Sequence, residues 1–336
     1  PSTIHFTAGA FKNVEEKWVE SYEFSKVNDL IFADWNCSVF STPSRTIVCC
    51  NNRQISLDTS ISSLCSNKRA LYCIVNGVIF VVDKDTGTIF ELTSPRGRCE
   101  SVACSDDTIL YITETYELYE LPVRFPPLVV NLPRSPSFKV KRVACGSGFT
   151  LFLTLTGQLF SKGLGSRGQL GLGDLDDRNE VCLIEALVTN TVISVSAGSW
   201  HAACITDTGD LYTWGWNEHG QLGQKSFSVA KKNDQVDWTS QPDLVNVLCL
   251  PQPVDIPGNE DVISVACGAR HTACVTAKGN LFVFGWNGFG QLGLDHSVDA
   301  ADEPTRISTL PTGSCVKAVS CGHWSTTVTL KVPSIT

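Results

Sequence analysis

The chain has 336 residues, 43% of them hydrophobic, with 26 basic and 34 acidic side chains and a formal net charge of −8. This length is sufficient to bury a large core, and the negative charge argues against direct nucleic-acid binding, which requires clustered cations. The 15 cysteines are odd in number, no signal-like beginning precedes them, and no apolar run reaches membrane-spanning length. We therefore expect no membrane association and a reducing compartment, the nucleus or the cytoplasm.

The first third of the chain contains weak copies of a repeat. Residues 4–11 resemble the second half of a repeat unit whose first half is missing there. Three degenerate copies follow, with predicted starts near residues 30, 70 and 102. They match the later copies mainly in phase; for example, Asp-Thr-Gly at 85–87 parallels Asp-Thr-Gly at 207–209.

Strong copies of the repeat start near residues 143, 195 and 265. Each runs from Ala/Cys-Gly through Gly-x-Leu-aromatic to Gly-Gln-Leu-Gly. A seventh copy near 319 stops before its Leu-aromatic-Gly strand. Repeats of this period predict an all-β, seven-bladed β-propeller of four-stranded blades, formed by residues 1–336 as a single domain and a monomeric ring. The N-terminal strand, residues 4–11, would complete the C-terminal blade and close the ring.

The histidines and cysteines that could be catalytic or bind metal recur at fixed positions of the repeat. Their spacing is not the spacing expected of a catalytic or metal site. His201 and His271 share one repeat position, where Phe149 and Ser325 occur in other copies, so we expect hydrogen bonds inside the blade and no catalysis. The cysteines also recur in phase and are interpreted as small buried apolar residues, without zinc-like pairs; they include Cys104, Cys145, Cys267, Cys321, Cys204 and Cys274.

Two further patterns resemble functional sites. Gly163 to Gly168 matches the dinucleotide pattern Gly-x-Gly-x-x-Gly, but the following Gly-Gln-Leu-Gly-Leu-Gly cannot open a helix. Asp174, Asp176 and Asp177 follow a turn and are interpreted as a solvated loop. We therefore expect no enzyme activity, no cofactor and no metal.

The motifs Ala/Cys-Gly-x-x-His, Gly-x-Leu-aromatic-x-Trp/Phe-Gly and Gly-Gln-Leu-Gly together resemble the regulator of chromosome condensation repeat, whose members form seven-bladed propellers. With Trp-Gly-Trp-Asn at 214–217 and Phe-Gly-Trp-Asn at 284–287, the chain is most similar to a small chromatin-linked branch of that family. This resemblance implies a noncatalytic nuclear adaptor for chromatin that docks a protein partner, such as a jumonji-type oxygenase or histones.

The family resemblance leaves two alternatives open. The first is guanine-nucleotide exchange on a small GTPase of the Ran type, although no exchange loop can be matched to a position in this chain. The second is ultraviolet sensing, which occurs in plant relatives bearing Gly-Trp-Arg-His-Thr. Here the corresponding Gly-Ala-Arg-His-Thr at 268–272 lacks the tryptophan, while Trp200 and Trp324 lie one position later, on blades that are not adjacent.

The longest interruption of the repeat is the predicted insertion 224–261. Long loops in compact domains are often functional, and this one places polar residues beside apolar anchors. The candidate partner-binding residues are Lys231, Lys232, Val236, Asp237 and Trp238. The alternative for the second half is that residues 244–250 pack as an ordinary outer strand.

Overall fold

The computed structural model describes residues 2–9, 19–20, 31–34, 37–41, 46–50, 53–57, 61–92, 97–123, 134–135, 138–232, 244–295 and 297–332. The described strands form seven four-stranded antiparallel sheets, which we call blades. The strands nearest the chain ends are β1 (Ser2–Gly9) and β2 (Val19–Glu20). Blade 1 contains β3 (Ile31–Asp34), β4 (Cys37–Ser41), β5 (Thr46–Cys50) and β6 (Arg53–Leu57).

The next three blades follow in chain order. Blade 2 contains β7 (Ser63–Ser66), β8 (Ala70–Val75), β9 (Val78–Asp83) and β10 (Ile89–Leu92). Blade 3 contains β11 (Cys99–Cys104), β12 (Thr108–Thr113), β13 (Leu118–Pro122) and β14 (Arg134–Ser135). Blade 4 contains β15 (Val140–Cys145), β16 (Phe149–Thr154), β17 (Leu159–Gly163) and β18 (Arg178–Leu183), followed by a 3-10 turn at Glu185–Leu187.

The last three blades complete the fold. Blade 5 contains β19 (Val192–Ala197), β20 (His201–Thr206), β21 (Leu211–Trp216) and β22 (Val247–Pro253), with the helix α1 (Phe227–Lys232) between β21 and β22. Blade 6 contains β23 (Val262–Cys267), β24 (His271–Thr276), β25 (Leu281–Trp286) and β26 (Ala300–Arg306). Blade 7 combines β27 (Cys315–Cys321) and β28 (Ser325–Val332) with β1 and β2, and β1 pairs with β28 from Ser2↔Val332 to Gly9↔Ser325.

Local sequence explains the strands and turns of the strong copies. All six residues of β20 and of β24 are buried, as expected for apolar, β-branched and small residues packed on both faces. Gly209 has φ of +87°, which glycine adopts without strain, in the turn between β20 and β21. The prediction of an all-β protein with four-stranded blades is confirmed.

Apolar side chains pack the blades against their neighbours. From blade 2 to blade 7, the first strand of each blade contacts the first strand of the next; these strands are β7, β11, β15, β19, β23 and β27. Strand β27 also contacts β3 of blade 1. Val39 and Val48 of blade 1 lie in one core cluster with Leu71 of blade 2. The core therefore lies between adjacent sheets, as in other stacked β-repeats.

The structure corrects one predicted boundary and divides the predicted insertion. Blade 2 begins with β7 at Ser63, not near residue 70. Its Ser-Leu-Cys-Ser sequence is only partly buried and lacks the Val-Ala-Cys-Gly pattern that marks the first strand elsewhere. Within the insertion 224–261, β22 is the outer strand of blade 5, with Trp216 opposite Val247. The second half of that segment therefore supplies the outer strand, at Val247–Pro253 where residues 244–250 were predicted.

Candidate interaction face

The five residues predicted to bind a partner fall mostly outside the described part of the chain. Val236, Asp237 and Trp238 lie outside the described residues, and Lys231 and Lys232 are the last two residues of α1. The start of α1 is held in place, because the Ser226 backbone N–H donates to Asp302 Oδ2 at 2.9 Å. The proposal that residues 225–242 dock a partner stays a prediction.

The described residues contain a second candidate, built from three repeated positions. First and third strands of a blade run in the same direction, so the loops that follow them emerge at the same end of the sheet. One position immediately precedes the second strand, one ends the third strand, and one precedes Gly-Gln-Leu-Gly. The first position holds Trp200, Arg270 and Trp324. The second holds Trp216 and Trp286, and the third holds Arg167, His219 and Phe289. We call these eight residues the aromatic-cationic face.

The Gly-Gln-Leu-Gly motif fixes the third of these positions. The side-chain Oε1 atom of the motif glutamine accepts a hydrogen bond from the backbone N–H two residues before it, at Arg167, His219 and Phe289, with distances of 2.8, 2.8 and 2.9 Å. The motif leucine is buried in each copy and anchors the turn to the core. The repeat therefore presents a different side chain from the same rigid turn in each blade.

Aromatic rings connect the face across blades 5, 6 and 7. Trp200 and Trp216 make an edge contact with ring centroids 5.5 Å apart, and His219 lies between Trp216 and Trp286 at 6.5 and 5.9 Å. A second group joins Trp286, Phe289 and Trp324 at centroid distances of 5.2 to 5.8 Å. Because Trp286 of blade 6 links them, Trp200 and Trp324 belong to one cluster, although they are on blades that are not adjacent.

Two arginines contact this cluster, and they differ in the polar and charged groups near their guanidinium groups. The Arg167 guanidinium lies over Trp216, with its Cζ atom 4.1 Å from the ring centroid and 5.4 Å from that of Trp200. Arg270 also contacts Trp216, at 5.2 Å, but its Nη1 atom is 2.9 Å from His219 Nε2 and 3.7 Å from Glu218 Oε2. Aromatic and arginine side chains at one surface are typical of protein interfaces.

The repeated histidines lie beneath this face and have a structural role. His201 Nε2 is 2.9 Å from Thr272 Oγ1, and that hydroxyl donates to the Gln221 carbonyl oxygen at 2.8 Å. Since the hydroxyl proton is used there, His201 must donate from Nε2. This bond joins blade 5 to blade 6, so the expectation of a bond inside the blade was wrong. His271 is likewise 3.0 Å from Thr326 of blade 7.

Burial keeps both histidines neutral. Desolvation, followed by the nearby His271, lowers the pKa of His201 to about 3. Desolvation also lowers the pKa of His271 to about 4. A neutral imidazole that donates one fixed hydrogen bond suits a joint between blades better than proton transfer at the surface.

The cysteines that recur in β20 and β24 behave as buried apolar groups, whereas Cys145 and Cys321, at the other repeated position, are half-buried. Cys204 and Cys274 are fully buried, and burial raises the pKa of Cys274 to about 12, which disfavours the reactive thiolate. Within the described ranges, no group of three or more His, Cys, Asp or Glu side chains is arranged to hold a metal ion. Asp174 pairs with Arg178, and Asp177 accepts the Gly165 N–H.

None of the helices among the described residues has both the length and the apolar character needed to cross a membrane. The described helices are α1, with six residues, and the 3-10 turn.

Family models described as the regulator of chromosome condensation (RCC1) repeat match this chain at residues 156–205, 208–275 and 278–329, and in shorter form at 140–169, 192–221 and 262–291. Together these ranges cover more than half of the chain. All of them lie after residue 139, where the motifs are strong.

Similar proteins include RCC1 domain-containing protein 1 of Homo sapiens, which is 35% identical in an alignment of 218 residues that covers 58% of this chain and 57% of that protein. Ultraviolet-B receptor UVR8 of Arabidopsis thaliana is 34% identical over 210 residues, 61% of this chain and 42% of that protein. The chain thus spans about half the length of these relatives. The crystal structure of Prp20p from Saccharomyces cerevisiae, described with its binding to Gsp1p and histones, superposes with a TM-score of 0.80 at 17% identity, over 99% of this chain and 92% of that one. This likeness shows the fold.

Proposed function

Since the chain belongs to the regulator of chromosome condensation (RCC1) repeat family, we propose that it is a noncatalytic interaction scaffold that docks a protein partner on the aromatic-cationic face. One observation carries the proposal: four of the tryptophans gather at one surface with two arginines, while Trp214, two positions before Trp216, is fully buried. Tryptophan and arginine dominate the binding energy of protein interfaces.

The arrangement of the face supports docking over a purely structural role. Phe289 is 41% exposed, and the four tryptophans are each partly buried, so an approaching partner would remove further apolar area from water. The rings contact one another and the turns are held by glutamine, which reduces the entropy lost on binding. In the finer form of this proposal, the scaffold is a chromatin-associated nuclear adaptor and the partner is an enzyme such as a jumonji-type oxygenase.

Binding measurements with candidate partners test this function. A jumonji-type oxygenase, core histones and a Ran-type GTPase would each be titrated against the protein and against Trp286→Ala and Trp216→Ala. We expect one partner to bind, and each substitution to weaken it about tenfold or more. Ile263→Ala is the matched control, because Ile263 is 50% exposed on β23, away from the face.

Two results would contradict the proposal. One is that none of the three partners binds. The other is that a partner binds equally well to the wild type and to both tryptophan variants. Accelerated nucleotide release from the Ran-type GTPase in the same experiment would favour guanine-nucleotide exchange, the alternative activity.

Ultraviolet sensing is a second candidate, favoured by the contacts of Trp200 with Trp216 and of Trp286 with Trp324. Tryptophans in contact share excitation energy, and one plant relative carries the name ultraviolet-B receptor. The test is to irradiate the protein with ultraviolet-B light and to compare its mass in solution and its partner affinity with those of a dark sample. Identical values in both samples would reject this candidate.

A further inference from the structure

Arg167 is a cation held in a fixed position on the aromatic-cationic face. Its backbone N–H is bound by Gln169 Oε1, and its guanidinium is stacked on Trp216 and near Trp200. Stacking uses the flat surface of a guanidinium and leaves the N–H groups at its edge free to donate hydrogen bonds. The side chain is thus oriented before any ligand arrives.

Arg167 differs from the neighbouring arginines in the charged groups around it. Arg270 is paired with Glu218, and Arg178 is paired with Asp174 and Asp176. In contrast, no carboxylate of the described residues lies within ion-pair distance of Arg167. The aromatic rings contact this guanidinium but do not neutralise its charge.

The geometry points to a ligand for this position, and the inference rests on the proposed function. We propose that Arg167 binds the side-chain carboxylate of an Asp or Glu in a partner peptide, while an apolar side chain of the same peptide packs on Trp286, Phe289 and Trp324. A carboxylate matches the two parallel N–H groups of a guanidinium. The rings beside it exclude water and strengthen the pair.

The charges around the face favour a single carboxylate over a polyanion. Glu218, Asp174 and Asp176 lie in the loops of the same end of blades 4 and 5, and the whole chain has a net charge of −8. These charges repel a nucleic acid, which needs several cations along its backbone. A phosphate dianion carries more negative charge than a carboxylate, and Arg270, the other arginine of the face, is already paired with Glu218.

Selection of peptides tests the assignment without a known partner. A phage-displayed library of random peptides would be selected on the wild type, on Arg167→Gln, on Arg167→Glu and on Arg306→Gln. We expect wild-type peptides to share an Asp or Glu together with an apolar residue at a constant spacing. Arg167→Gln should lose this preference and weaken the best peptide about tenfold or more, as expected for a lost charged hydrogen bond. Arg167→Glu should select Lys or Arg at the same position.

The controls separate this inference from the proposed function. Arg306→Gln should retain the acidic preference, because Arg306 ends β26 opposite Phe282, at the end of blade 6 away from the face. All variants should melt within a few degrees of the wild type. Peptides that need Trp286 but show no acidic preference would overturn the carboxylate assignment and leave the docking face intact. Tighter binding when phosphoserine replaces the acidic residue would also overturn it. If no peptide is enriched, or if enriched peptides bind equally to Trp216→Ala and Trp286→Ala, the docking function itself fails.

Discussion

Neighbouring blades are joined by different side chains in the two halves of the molecule. Between blades 5 and 6 the joint is a buried hydrogen-bond chain, His201 to Thr272 to the Gln221 carbonyl. Between blades 2 and 3 the histidine and threonine are absent, and the joint is an apolar cluster that includes Tyr72 and Tyr111, with Asn67 donating to the Ser105 carbonyl at 3.0 Å. The backbone geometry is the same four-stranded sheet in both. The repeated histidine and threonine motif is therefore visible only where the joint uses this particular polar pair.

The joint between blades 4 and 5 shows how the polar pair can be replaced. Phe149 occupies the histidine position, Ala202 occupies the threonine position, and the Gln169 carbonyl accepts from the Trp214 indole N–H at 3.0 Å. The histidine, the threonine and the residue at the Trp214 position all differ between the two joints, and the carbonyl of the motif glutamine has a donor in both. The variant His201→Phe, Thr272→Ala, Phe284→Trp would copy this set into blades 5 and 6, and we call it the joint swap.

The largest effect is expected from blade 7, which is assembled from both ends of the chain. Deleting residues 1–9 removes β1 and leaves the edge of β28 unpaired along eight residues. We expect the melting temperature to fall by about 10 °C or more, since each lost kilocalorie per mole costs a few degrees. Deletion of residues 333–336 is the control. An unchanged melting temperature after removal of β1 would reject ring closure by this strand.

Acidification should weaken blades 5 to 7 through their histidines. His201 and His271 have pKa values near 3 and 4 in the folded state, against 6.5 when exposed. Below pH 6.5 the unfolded chain binds more protons, so stability is complete above that pH and is lost as the pH falls towards 4. The loss is at most about 1.4 kcal/mol per pH unit for each histidine.

Denaturant unfolding between pH 7 and pH 5 measures this loss. The joint swap removes His201 and keeps His271, so its free energy of unfolding should depend on pH about half as steeply in this range. An equally steep dependence in the joint swap would show that other groups cause the acid sensitivity.

Breaking the hydrogen-bond chain should cost more than replacing it. Thr272→Val leaves His201 Nε2 and the Gln221 carbonyl without their partner, and we expect a loss of about 1 to 3 kcal/mol. The joint swap should lie closer to the wild type, because the indole N–H replaces the threonine donor. Chemical denaturation measures both, and a joint swap less stable than Thr272→Val would disprove the equivalence of the two joints.

The smallest effect is expected from the exposed ion pair between blades 2 and 3. Lys68 and Asp106 form an ion pair, but their side chains are 82% and 55% exposed, so Lys68→Ala should change stability by less than about 0.5 kcal/mol. The adjacent Asn67 is buried, donates to the Ser105 carbonyl across the blades and accepts from the Ala70 N–H. Asn67→Ala should cost about 1 to 3 kcal/mol. Equal losses for the two variants would contradict this contrast.

The sequence by itself determined the features that depend on neighbouring residues in the chain. The positive φ of Gly209, the buried Leu222 of the Gly-Gln-Leu-Gly turn and the fully buried β20 follow from local preferences repeated at a constant period. The same period predicted the four-stranded sheets. The repeat period did not predict β7, because its Ser-Leu-Cys-Ser sequence lacks the apolar pattern of the other first strands. Side chains of the adjacent blades pack against this strand.

Only the tertiary structure decided which side chains meet. Thr272 lies 71 positions from His201, and the contact exists because adjacent blades stack in a defined orientation. The tryptophans of the face also come from different blades, and their sequence spacing does not reveal that Trp286 connects them. Whether an arginine is neutralised depends on a carboxylate brought close in space, as Glu218 is for Arg270. Strand and turn preferences act over a few residues, whereas the electrostatic state of a surface depends on the packing of whole sheets.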